Sequence, residues 1–183
     1  MKKIVFYLDE TVYQQYQPIV EAKGFLVALV GDESLFRSVK EVFETDVKAS
    51  GHEAFDEGYM LMQEISDTEL TVLLEIFEEK GLEFEGIKVM RTEHNEKWTL
   101  QELLFETNKE HQVMKKAILL ETLMKSTNGM DFNALPKEVE TGLKQALMHA
   151  YMLLSSGQFD ADSLENALQE LSEQLKKAKR VTH

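Results

Sequence analysis

Twice before residue 91, a short apolar run rich in β-formers leads into a capped helix that stops at Lys-Gly, and a second apolar run follows. Leu8, Asp9, Val20, Lys23 and Gly24 align with Ile65, Ser66, Phe77, Lys80 and Gly81 at a constant offset of 57 residues. A solenoid would need several shorter repeats. Two strand–helix–strand units instead predict right-handed crossovers feeding one small sheet. This pattern constrains the chain more than any single motif in it.

The first unit has strands expected at Ile4–Leu8 and Phe25–Val30. Asp9 is a helix cap, and Val12, Tyr16, Ile19 and Val20 recur at helical spacing. Pro18 predicts a kink or an early break there. A further helix is expected from Asp32 or Ser34, with Leu35, Val39, Val42 and Phe43 on one face. Residues 46–56 have little periodicity and read as a loop. The second unit has strands at Gly58–Ile65 and Ile87–Met90. Between them Ser66 and Glu69 form a capping box, with Ile65 and Leu70 as its hydrophobic staple. That helix carries Leu70, Leu73, Leu74 and Phe77.

After residue 98 the pattern is helical only. One helix is expected over 99–126, and "STNGMDFN" ends it. Pro136 opens another that runs to Ser155. The last carries Leu164, Leu168, Leu171 and Leu175. With Leu143, Leu147 and Leu154 these make two apolar stripes across a short turn, which predicts an antiparallel helical hairpin. The fold class is therefore α/β: a small mixed or parallel sheet followed by a helical C-terminal extension. Ferredoxin-like and compact doubly wound arrangements both remain open. The expected domains are an α/β domain over 1–126, with halves 1–45 and 58–91, and a hairpin extension over 133–180. The extension serves either to pack on the domain or as an arm for dimerisation.

Of the 183 residues, 43% are hydrophobic, and none is Cys. That excludes disulfides, thiolate metal sites and Cys nucleophiles. No apolar run approaches the ~20 residues of a membrane span. The start MKKIVFYLDE is too short in apolar residues for a secretory signal, so a cytoplasmic protein is expected. The net charge is −13, with the acid concentrated in 57–110. Phosphate backbones and anionic lipids would repel such a chain, which argues against nucleic acid and membrane partners. Lys176, Lys177, Lys179 and Arg180 read as favourable charge at a helix C-terminus. Neither G-x-G-x-x-G nor G-x-x-x-x-G-K occurs, and no cofactor is implied. Met60, Met62, Met114, Met124, Met148 and Met152 read as core filler.

The densest polar chemistry lies in "RTEHNEKWTLQELLFETNKEH", residues 91–111. Thr99 and Glu102 form a second capping box, and Trp98 with Leu103 a second staple. Glu106 and Glu110 share a helical face. His111 follows Glu110, about 100° around the helix. Neither His-Glu-x-x-His nor Glu-x-x-His is present, and no metal site is expected. The succession of strand, "ISDTEL" helix, "KG", strand and this stretch resembles an uncharacterised bacterial family, Domain of Unknown Function 3783. The resemblance centres on 59–111 and brings no known activity. It implies that Thr92, Asn95, Trp98, Glu110 and His111 sit on recurring positions, and that His94 sits on a variable one.

Two functions compete. The favoured one is a non-enzymatic interaction or regulatory module. Its partner surface would comprise Thr92, Asn95, Trp98, Glu110 and His111. The C-terminal helices would bind a protein partner or the chain itself. The alternative is a hydrolase-type enzyme using His111 or His94 with Glu110, since His titrates near neutrality.

Overall fold

All four apolar runs become strands. In the computed structural model, residues 1–45 and 51–181 are described. The order is β1 (Lys3–Tyr7), α1 (Glu10–Ala22), β2 (Leu26–Val30), a 3-10 turn (Asp32–Ser34), α2 (Val39–Glu44), β3 (Tyr59–Gln63), α3 (Asp67–Glu79), β4 (Ile87–Met90), α4 (Leu100–Lys125), a second 3-10 turn (Phe132–Ala134), α5 (Lys137–Ser156) and α6 (Ala161–Val181). The chain divides into two compact units, Met1–Asn108 and Lys109–His183, and the division falls within α4. No helix among the described residues is long and apolar enough to cross a membrane.

In the first unit the strands lie in the order β2-β1-β3-β4. β1 pairs parallel with β2, and β3 parallel with β4. The central pair, β1 with β3, is antiparallel, with Val5 opposite Leu61 at its midpoint. The sheet is therefore mixed. A ferredoxin-like sheet would put a third strand between β1 and β2, and a doubly wound sheet would be parallel throughout. The direct β1–β2 pairing excludes the first, and the antiparallel β1–β3 pair excludes the second.

Both faces are covered, which explains why the central strands are apolar along their length. Ile4 and Phe6 face one way with Met60 and Met62. They pack against Tyr13, Tyr16, Ile19 and Val20 of α1 and Leu73 and Phe77 of α3. Val5, Tyr7, Tyr59 and Leu61 face the other way. They meet Val39, Val42 and Phe43 of α2 and Leu100, Leu103 and Leu104 of α4. The Tyr59 hydroxyl donates to the Leu104 carbonyl at 3.0 Å, which ties the start of α4 to the sheet. Burying each such side chain contributes about 1.5–3 kcal/mol.

Three details differ from the sequence reading. First, α1 runs unbroken through Pro18. Proline removes one helical bond and frees the Gln14 carbonyl, but Gln14 is exposed and its carbonyl can be hydrated. Packing of Tyr13, Tyr16, Ile19 and Val20 holds the helix. Second, Val12 is exposed and Tyr13 takes the expected core position. Third, the helix expected from Asp32 or Ser34 is only a 3-10 turn there. The α-helix starts after Ser38, whose side chain forms a capping box with Glu41. Of the loop expected over 46–56, residues 46–50 lie outside the described residues, and 51–56 form no helix or strand.

The two halves of this unit repeat more fully than the sequence alignment shows. Each runs strand, helix, parallel strand, turn, capped helix. α1 and α3 are both 13 residues long. The capping boxes Ser38–Glu41 and Thr99–Glu102 occupy equivalent places. Ser38 pairs directly with Thr99 in an isolated antiparallel bridge. The Val39 amide donates to the Trp98 carbonyl at 2.9 Å, and the Leu100 amide to the Arg37 carbonyl at 2.8 Å. These reciprocal bonds, with the antiparallel β1–β3 pair, relate the halves by a pseudo-two-fold axis.

The second unit is built on one apolar cluster. Ala117 and Leu120 of α4 pack with Leu143, Ala146 and Ala150 of α5 and with Leu164, Leu168, Leu171 and Leu175 of α6. Gly142 lies beside Gln174, and His149 Nδ1 beside Glu170 Oε2 at 2.8 Å. One number rises as the other falls, so α5 and α6 form the expected antiparallel hairpin. Gly157, in the left-handed region at φ 63°, ends α5 and allows the turn.

Candidate functional site

The loop between β4 and α4 is held by its own side chains. Asn95 Oδ1 accepts from the Thr92 amide at 2.8 Å, and Asn95 Nδ2 donates to the Met90 carbonyl at 2.9 Å. The Asn95 amide donates to Thr92 Oγ1 at 3.2 Å. Asn95 is 8% exposed. Both ends of its carboxamide are occupied, and it acts as the clasp of the turn. Arg91 braces the loop from below. Its guanidinium donates to Gln63 Oε1 at 2.6 Å and to Glu96 Oε2 at 2.8 Å, and lies 5.7 Å from the Phe43 ring centroid. The arginine holds the Glu96 carboxyl below the usual carboxylate range.

Trp98 is half-buried against the α2–α4 side of the sheet. The exposed His94 ring meets its indole edge-on, with centroids 5.1 Å apart. Thr99 and Glu102 form the capping box at the start of α4. The Glu102 amide reaches Thr99 Oγ1 at 3.2 Å, and the Thr99 amide reaches Glu102 Oε2 at 2.8 Å. These bonds to Thr99, led by its amide, hold the Glu102 carboxyl low. The structure thus gathers Thr92, His94, Asn95 and Trp98 into one loop. Glu110 and His111 lie further along α4, in the second unit. Glu110 is exposed. His111 is partly exposed, but its Nε2 is inaccessible and has no hydrogen-bond partner among the described residues.

A second polar cluster, which the sequence did not single out, lies at the carboxyl ends of β1 and β2. The Tyr7 hydroxyl donates to Asp32 Oδ1, and the Glu53 amide donates to Asp32 Oδ2 at 3.0 Å. The His52 ring packs on Tyr7 with centroids 4.5 Å apart, and its buried Nε2 has no hydrogen-bond partner among the described residues. Burial, then the bond to Asp32, raises the Tyr7 hydroxyl. The same bond leads in lowering Asp32. Asp32 is thereby held as an anion and Tyr7 as a phenol, a pairing that anchors a loop and leaves no base near neutrality. Only the spacing of Tyr7, Asp32 and His52 across two loops brings them together, and one sequence carries no signal of that. Among the described residues, no group of three or more His, Asp or Glu could hold a metal ion.

The second unit presents a different surface. Met114, Ile118 and Leu119 of α4 and Met148, Tyr151 and Met152 of α5 are each more than half exposed. Met114, Met148 and Met152 were expected in the core with Met60 and Met62. Of these only Met60 and Met62 are fully buried, because helical spacing alone does not say which stripe of a helix is covered. Between α4 and α5 runs an open groove of about 630 Å³, lined by Met114, Ile118, Met124, Leu147, Tyr151 and Phe159.

No curated protein and no solved structure matches this chain. Residues 59–114 fit the family described as Domain of unknown function (DUF3783), so the second strand–helix–strand half, its clasped loop and the first part of α4 resemble that domain.

Proposed function

We propose that the protein is a non-enzymatic interaction module of the cytoplasm that binds protein through the α4–α5 face of its second unit. One observation carries this reading. Met114, Ile118 and Tyr151, on two neighbouring helices, stand more than half exposed along an open apolar groove. Contiguous apolar surface of this kind marks interaction sites on soluble chains, whereas scattered single residues do not. The net charge of −13 also favours a protein partner over a nucleic acid. The clasped loop serves as scaffold, with the His94–Trp98 pair at its surface. The alternative, a hydrolase using His111 or His94 with Glu110, has no comparable support: Glu110 is exposed, and His94 offers an exposed ring packed on Trp98.

The test is capture from the producing cell by tagged full-length chain, after cross-linking, with and without Ile118→Glu and Tyr151→Glu together. Both side chains are exposed, so circular dichroism should be unchanged. Protein bound to the wild type, whether an untagged copy or another chain, should be missing from the variant. Identical partners on both, or none on either, would overturn the reading.

A further inference from the structure

We infer that the occupant of the α4–α5 face is a second copy of this chain, related by a two-fold axis. The inference rests on the reading that this face binds protein, and it names the partner.

Charge is the first argument. Residues 109–183 carry ten acidic and ten basic side chains, so the whole net charge of −13 lies in residues 1–108. Two acidic bodies repel each other beyond contact. The neutral unit is the part of the chain through which copies meet with least opposition. An acidic module built to recruit a basic protein would carry its excess acid around the binding groove, and here it does not.

The rim of the groove is the second argument. Met114, Ile118, Glu121 and Lys125 follow one face of α4 at helical spacing, and all four line the groove. Glu121 and Lys125 pair at 2.7 Å. Each copy thus brings one charge of each sign to the rim. Under a two-fold axis a surface must complement itself, and a rim with both signs does so where a rim of one sign would not. Met114, Ile118 and Tyr151, each more than half exposed, line the groove and supply the apolar centre of such an interface. Four helices, two from each copy, then enclose one apolar seam.

Sedimentation of the purified full-length protein over a range of concentrations tests this. A monomer–dimer equilibrium is expected. Ile118→Glu should raise its dissociation constant at least about 30-fold, as for a central anchor residue. Glu121→Lys, which leaves the rim all basic, should weaken the dimer. Adding Lys125→Glu to it should restore the dimer, because exchanging the two signs on both copies preserves self-complementarity. A foreign partner, unchanged by the exchange, would not be regained. A protein that stays monomeric, or a dimer indifferent to Ile118→Glu, overturns the inference. If the purified chain is monomeric while cellular partners are still lost with Ile118→Glu and Tyr151→Glu, the interaction reading stands and only the identity of the partner falls.

Discussion

Asn95 spends its whole side chain on its own loop. The carboxamide fits because one end must accept from the Thr92 amide and the other must donate to the Met90 carbonyl, and only Asn or a close analogue supplies both at that reach. Removing it leaves the part-buried Thr92 amide and Met90 carbonyl without these bonds. Asn95→Ala should therefore cost about 1–3 kcal/mol. Urea unfolding followed by the fluorescence of Trp98, the single Trp and three residues away, measures it. A cost below about 1 kcal/mol would mean that the loop holds its shape without the clasp. An Asn in a loop commonly bonds nearby backbone, but its depth is not written in the sequence. One residue in a polar stretch carries no signal of burial. The same holds for His52, a lone His in sequence that packs on Tyr7.

At the scale of elements, the capping boxes did most to set boundaries, and they are local enough to read directly. Ser66–Glu69 and Thr99–Glu102 form as the sequence predicts. Ser38–Glu41 has the same spacing, yet the apolar run from Leu35 draws attention to an earlier start. The capped helices also lock the halves together. Val39 and Leu100 each follow a cap, and each donates its amide across the pseudo-two-fold axis. A helix tolerates proline at this first position, because the amide has no intrahelical partner. Val39→Pro should thus spare α2 while stranding the Trp98 carbonyl. The expected loss is about 1–3 kcal/mol, measured by the shift in urea midpoint against Val39→Ile. Equal midpoints would show that the reciprocal bonds contribute nothing. The match over 59–114 covers one of these halves. The other half reproduces its strand, helix, strand and cap.

At the scale of the molecule, the carboxylates shift one way in both units. In the first, Asp32 is held low by the Tyr7 hydroxyl, and Glu41 by the Ser38 amide. In the second, Glu140 is held low by Lys144, and Asp160 by the Ser163 amide. Glu69, bonded first by Lys2 and then by Ser66, is lowered from 4.5 to about 2. A depressed folded value means that the contribution is fully present above the unfolded value and fades as pH falls through the folded one. The Glu69 window is therefore between about pH 4.5 and 2. The urea midpoint should hold from neutrality to about pH 5 and then fall steadily. Glu69→Gln should flatten that fall, and a midpoint that rises on acidification would reverse the assigned sign.

The sequence by itself determined the element list, both ends of α1 and of α3, the α/β class and the C-terminal hairpin. Caps, Lys-Gly stops and apolar spacing act over a few residues, so they can be read in order along the chain. Tertiary structure alone decided three things. The antiparallel β1–β3 pairing joins strands far apart in sequence, and its hydrogen bonds are backbone bonds that no side chain announces. The Tyr7–Asp32–His52 cluster depends on segments converging from different elements. The exposed face of α4 and α5 depends on which stripe of each helix its neighbours cover. A helix rich in apolar residues has more than one candidate stripe, and only packing chooses among them.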